Sequence, residues 1–386
     1  MVNTKHDTHS YESTSNGESG YQREIFDGNV LYESFLKAKQ GSDWKPQVQR
    51  FEMNLLFELS GLQKEHMTGD YVFQPSMEFT LRERGKIRRI TGEQIHDRVA
   101  KHALCDEVLT PAVKKYLIYD NSASIKGRGI DFARKRLVTH LRKYYSQNGS
   151  NDGYILLIDF SKYYDNIQHD KLIEQFEKYI HDERALNFLR AVIDHSKVDV
   201  SYMTDEEYAG CMDRMFNSLE YQDVDRSLLT GEKFMYKHLN IGDQVAQVAG
   251  IIYPIPIDNY VKIVKGVKFY GRYMDDSYAI HESKEFLEEL LQGIIAIANN
   301  LGITVNTRKT RIVKLSSLWR FLQVQYALTE TGRAIQKINP KRLTGMRRKM
   351  KKLVYILTEK EFDDWYGSWF RNHYRIMSIH QRENMD

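Results

Sequence analysis

Hydrophobic and polar positions alternate with different periods along this chain, and the period changes mark its elements. Residues 1–25 are rich in Ser, Asn, Gly and Thr and offer few apolar positions, so a disordered tail is expected there. From residue 26 to about 65 the apolar marks Leu31, Phe35, Leu55, Leu56, Leu59 and Leu62 read as helix. The stretch YVFQPSMEFTLRERGKIRRI then alternates around Arg84-Gly85-Lys86, the pattern of a basic hairpin. Helices are expected over 94–145, interrupted by the polar break NSASIKGRG. GYILLIDF is a continuous apolar run ending on an acid, as a buried central strand reads when it emerges at a sheet edge. DKLIEQFEKYI returns to helical spacing, while 194–240 is polar and without strong period. A helix over 244–264, the hairpin FYGRYMDDSYAIH, a helix over 283–301 and short strands over 303–327 follow. The stretch KINPKRLTGMRRKMKK carries eight Lys or Arg and no acid.

Composition narrows the class. A chain of 386 residues, 41% hydrophobic, can bury two or three packed subdomains. The net charge of +4 is mild, so its distribution matters more than its total. Cys105 and Cys211 are too few for a zinc site and fit a reducing cytoplasm. No apolar run approaches a membrane span and the polar start lacks a signal-peptide core, so a soluble, cytoplasmic protein is expected, with no membrane partner.

The acids give the chemistry. Asp159 ends the apolar strand and Asp275-Asp276 sits at the hairpin tip. If both strands belong to one antiparallel sheet, the three carboxylates gather at one edge, where divalent cations would neutralise their repulsion. Hard oxygen donors without a His or Cys cluster favour Mg²⁺ over Zn²⁺. Two such ions activate a hydroxyl and stabilise a leaving phosphate, the requirements of nucleotidyl transfer.

ILLIDFSKYYDNI, IGDQVAQ, YMDD and GITVNTRKT occur in that order and resemble the successive palm motifs of reverse transcriptases. KIRRI and the GRG region resemble the family's finger motifs, and FLQVQY its primer grip. The resemblance covers roughly residues 75–350. It implies an α+β right-hand polymerase fold: N-terminal helices and fingers over 26–150, an antiparallel-sheet palm over 151–328 carrying the 194–240 insert, and a basic helical thumb over 329–386. No RNase H domain is expected after the thumb.

Carried over residue by residue, the resemblance makes Asp159, the Phe160 carbonyl, Asp275 and Asp276 the ligands of two Mg²⁺ ions, with Mn²⁺ as the alternative. Tyr164 would lie under the sugar and exclude a ribose 2′-hydroxyl, which speaks against an RNA-dependent RNA polymerase. Lys162 and Tyr163 would offer backbone amides to the triphosphate. Arg88 matches the finger arginine that grips incoming phosphates, with Arg82 or Arg84 as its partner. Lys309 matches a lysine near the leaving pyrophosphate, as proton donor or as a surface residue. Ile241 and Gly242 would border the nucleotide; Ile241 stands where retroviral enzymes have glutamine, so relaxed fidelity is expected. Arg342, Arg347, Arg348, Lys351 and Lys352 would grip phosphates in the thumb.

The IGDQVAQ form resembles the IGxxxSQ pattern of bacterial diversity-generating and antiphage-defence reverse transcriptases, with Ala246 in place of serine. The implied activity is RNA-directed DNA synthesis from dNTPs on an RNA template, a dedicated noncoding RNA in antiphage defence. Mutagenic diversification or a catalytically silent RNA-binding scaffold are the alternatives. The insert is left as packing or as a contact for a partner, and a protein partner or homo-oligomer stays open.

Overall fold

The computed structural model describes residues 25–83, 86–221, 224–383 and 385. Arg84 and the expected tail up to residue 24 lie outside these residues, whereas Ile25 is buried in the core. Among the described residues no helix is long and apolar enough to cross a membrane, and Cys105 and Cys211 are buried thiols outside any disulfide.

A four-stranded antiparallel sheet lies at the centre, in the order β10 (Arg311–Lys314), β3 (Tyr154–Ile158), β8 (Asp276–His281), β7 (Phe269–Tyr273). The apolar run of β3 follows from burial on both faces. Strand period two sends Leu156 and Ile158 into one hydrophobic core and Ile155 and Leu157 into another. β8 splits likewise, with Ala279 on the first side and Tyr278 and Ile280 on the second.

The first core is helical. It takes α1 (Gly28–Ala38), α2 (Pro46–Met53), α3 (Leu55–Thr68), α4 (Ile95–Leu104), α6 (His169–Glu177), α7 (Glu183–Asp194), α9 (Gln244–Ile252) and α10 (Lys284–Asn300). Amphipathic spacing explains α7: Ala185, Leu186, Phe188, Leu189, Val192 and Ile193 form one buried stripe. The expected helix over 244–264 breaks after Ile252, where Tyr253-Pro254 interrupts it, and resumes over Ile255–Asn259. The second core lies between the sheet, α5 (Ile130–Asn148) and a three-stranded sheet of β11 (Trp319–Phe321), β12 (Val324–Leu328) and β13 (Ala334–Ile338).

The start of the expected helical thumb is therefore strand. AIQKI pairs along β12 after a turn in which Gly332 takes φ +76°; its basic neighbours masked a period-two pattern. Helix follows in α11 (Pro340–Leu353) and α12 (Glu359–Tyr374).

The insert is also more ordered than its polarity implied. β5 (Val198–Asp199) pairs with β6 (Phe234–Met235), and α8 (Asp205–Asp213) opens on a reciprocal Thr204–Glu207 cap. Val200, Met203, Cys211, Phe216 and Met235 make a small core of their own. The buried Lys237 ammonium donates to the Cys211 and Met212 carbonyls at 3.0 and 2.7 Å, satisfying the last turn of α8. Burial lowers its pKa.

Candidate active site

Strand register brings the acids to one edge. Ile158 pairs with Ser277, so Asp159 stands level with Asp276. Tyr273 pairs with Asp276 and closes the hairpin on Met274-Asp275, with Met274 at φ +55°. That places methionine where a two-residue hairpin turn ordinarily takes glycine. The 306–310 turn clamps Asp159: Asn306 N–H donates to its carbonyl at 2.8 Å and its own N–H donates to Thr310 Oγ1 at 3.3 Å. Lys309 Nζ then meets both Asp159 carboxylate oxygens, at 2.9 and 2.7 Å. Asp159, Asp276, Arg308, Lys309, Arg311 and Arg320 share the wall of a cavity of about 610 Å³. Among the described residues, no three His, Cys, Asp or Glu side chains stand close enough to hold one ion. The acids share an edge here, and it is Lys309 that neutralises Asp159.

The turn after Asp159 carries the nucleotide-side candidates. Phe160 is buried in β4 (Phe160–Ser161), which pairs with β9 (Thr304–Val305). Lys162 is exposed at φ +46°. Tyr163 is a core residue whose hydroxyl donates to the Gly250 carbonyl at 2.9 Å, and burial drives its pKa well up. Tyr164 is only partly buried, and its hydroxyl meets Met274 Sδ at 3.6 Å. It thus links the turn after the first acid to the hairpin of the other two.

In the hairpin of β1 (Met77–Glu83) and β2 (Lys86–Gly92), Arg88 pairs with Leu81 and Arg82 with Ile87. Opposed residues share a face, so Arg82 and Arg88 lie on opposite faces. Register does not bring them together. Gly242 adopts φ +112° beneath the hairpin, and a Cβ there would lie 3.9 Å from Ile90 Cγ2 and from the Thr91 carbonyl. Ile241 beside it is half-buried.

On α11, Leu343 is buried and Met346 and Met350 pack on the second core, leaving Arg348, Lys351 and Lys352 exposed and Arg342 and Arg347 half-buried. Of these five, Arg342 reaches the palm: it lines a cavity of about 670 Å³ with Tyr273, Gln323 and Arg128.

A family model described as reverse transcriptase (RNA-dependent DNA polymerase) matches residues 81–357, from the finger hairpin past α11. The chain belongs to the reverse transcriptase family. Its activity is RNA-directed DNA polymerisation, a nucleotidyl transfer that takes an RNA template and dNTPs and yields DNA. Comparison with curated proteins gives no match. The mixed helix and antiparallel sheet agree with the palm, fingers and thumb of this family. Reverse transcriptases generally use divalent metal ions. By donor type this one suits a hard divalent cation, with carboxylates on one edge, while here an ammonium balances Asp159 and no three acidic, His or Cys side chains gather among the described residues.

A buried polar network of this reverse transcriptase joins residues too far apart in sequence to show any spacing. Lys101 on α4 pairs with Glu93, just after β2, and with Asp243 Oδ2 at 2.8 Å. Asp243 Oδ1 accepts the Val245 N–H at 2.8 Å and caps α9. Thr91 Oγ1 donates to Asn240 Oδ1 at 3.1 Å beside it. Burial, reinforced by Asp243, raises the Glu93 carboxyl to about 7, while its two acids raise Lys101 against burial. This cluster ties the finger hairpin to the Ile241-Gly242 turn, across more than a hundred residues of chain.

Proposed function

We propose that this reverse transcriptase extends DNA by two-metal nucleotidyl transfer, with Asp159, Asp275, Asp276 and the Phe160 carbonyl as ligands. The observation that carries the reading is the β3–β8 register, which sets Asp159 level with Asp276 beside the turn holding Asp275. Mg²⁺ is the expected ion and Mn²⁺ the alternative; when bound, the ions supply activation of the primer hydroxyl and charge stabilisation at the leaving pyrophosphate. Tyr164 excludes a 2′-hydroxyl, Arg88 grips the incoming phosphates from the face of the hairpin opposite Arg82, and Lys162 and Tyr163 offer amides to them. Lys309, paired with Asp159, would give a proton to the leaving group. Arg342, Arg347, Arg348, Lys351 and Lys352 hold the duplex through its phosphates. Replacing Asp275 and Asp276 by Ala should cut dNTP incorporation on a primed RNA roughly a thousandfold, the rate equivalent of the several kcal/mol that metal ions supply. Full incorporation by that variant would sink the mechanism, and full biological activity without incorporation would favour a scaffold.

The template we propose is a dedicated noncoding RNA, copied in the bacterial cytoplasm in antiphage defence. IGDQVAQ supports this placement, since Ile241 departs from the retroviral glutamine and Ala246 from the serine of the diversity-generating pattern. Sequencing nucleic acid that copurifies with the protein should return one enriched RNA with its complementary DNA. A template repeat beside a variable gene would instead favour diversification.

A further inference from the structure

Gly250 lies in α9 directly against the Tyr164 ring. A Cβ built on it would stand 2.7 Å from the Tyr164 hydroxyl oxygen, 3.2 Å from Cζ and 3.3 Å from Cε1. Contacts this short do not occur, so any side chain at Gly250 must move something. Both backbones that frame the ring are held. On the helix side, the Gly250 carbonyl accepts the Tyr163 hydroxyl at 2.9 Å, pinning α9 to the turn. On the turn side, the insert braces the chain at three successive residues. Leu239 N–H donates to the Tyr164 carbonyl at 2.9 Å. Asp165 Oδ1 accepts Ser218 Oγ at 2.8 Å and faces His238 Nδ1 at 2.9 Å. The Asn166 amide exchanges hydrogen bonds with the Phe216 backbone at 2.8 and 3.0 Å.

We propose that Gly250 is a specificity-determining position: its missing side chain sets how deep the Tyr164 ring sits, and the 194–240 module holds the turn so that the ring has one seat. The inference rests on Tyr164 as the sugar-selecting residue. With the turn braced and the helix pinned, an added methyl group displaces the ring rather than either backbone. The ring's hydroxyl already meets Met274 on the acid-bearing hairpin at 3.6 Å and the residue is only partly buried, so the ring is the part that yields. Gly250 thus acts through Tyr164, as a positioning residue.

Steady-state incorporation of dATP and ATP on a primed RNA tests this with Gly250→Ala, Gly250→Ala/Tyr164→Phe and Tyr164→Ala. Gly250→Ala should raise KM for dATP about tenfold, the lower end of what one methyl group changes in a packed site, with kcat moving far less. Removing the Tyr164 hydroxyl, the atom nearest the new methyl, should recover most of that loss. Tyr164→Ala should relax the preference for dATP over ATP. If it leaves the preference unchanged, Tyr164 does not select the sugar and the reading beneath the inference fails. If Tyr164→Ala relaxes the preference while Gly250→Ala leaves KM as in the parent, only the role of Gly250 is overturned. A Gly250→Ala protein whose kcat and Tm fall together, without recovery in the double variant, overturns it as well.

Discussion

Two hairpins of this reverse transcriptase turn on two residues without a glycine, and they are supported very differently. In the β7–β8 turn Met274 takes φ +55°; in the β11–β12 turn Leu322 takes +42° and Gln323 +71°. Left-handed geometry costs an L-residue about 1–2 kcal/mol, so both turns store strain. Behind the first stands a fully buried ion pair: Arg272 meets Asp258 Oδ2 at 2.6 Å, Tyr270 donates to Asp258 Oδ1 at 2.7 Å, and Arg272 Nη1 reaches the Met274 carbonyl at 3.4 Å. The second is held from α5 by Arg134, which donates to the Leu322 carbonyl at 3.0 Å. The turn that carries the acids is over-determined, and the one expected to hold the primer is lightly tied. The turn with two left-handed residues thus has the lighter support, and the turn with one has the heavier.

The comparison breaks most sharply at Asp258. Asp258→Ala leaves a guanidinium buried without its partner and should cost about 3–5 kcal/mol in urea unfolding; a loss below about 1 kcal/mol would show that the brace is not what holds the hairpin. Arg134→Ala should cost less, about 1.5–3 kcal/mol for a hydrogen bond from a charged group, with faster amide exchange confined to β11 and β12. If exchange rises equally in β7 and β8, the two turns are not independent. The smallest effect is a gain: Gln323→Gly relieves the left-handed residue and should stabilise by up to about 1 kcal/mol. In urea unfolding Met274→Gly should gain less than Gln323→Gly, because it also removes the contact with Tyr164.

The central strand was legible because an apolar run closing on an acid has few other readings, and the acids and Tyr164 were placed by motifs at fixed spacing. Other features left no mark. Arg272 and Asp258 are fourteen residues apart and Lys101 and Asp243 a hundred and forty-two, and such cross-element pairs have no period to detect. Arg82 and Arg88 looked alike as charges, whereas register puts them on opposite faces. β13 was hidden because its charge was read before its alternation, and Gly250 because a missing side chain gains meaning only beside the ring it admits.

The alternation of β3 between two cores has a mechanical consequence. Neither the helical layer nor the layer of α5 and the three-stranded sheet can come away without stripping one face of the same five residues. The strand couples both layers into one cooperative unit, so its amide protons are those expected to exchange only through global unfolding. The acid-bearing edge proposed as catalytic is fixed to that strand and so keeps its alignment through smaller, local openings.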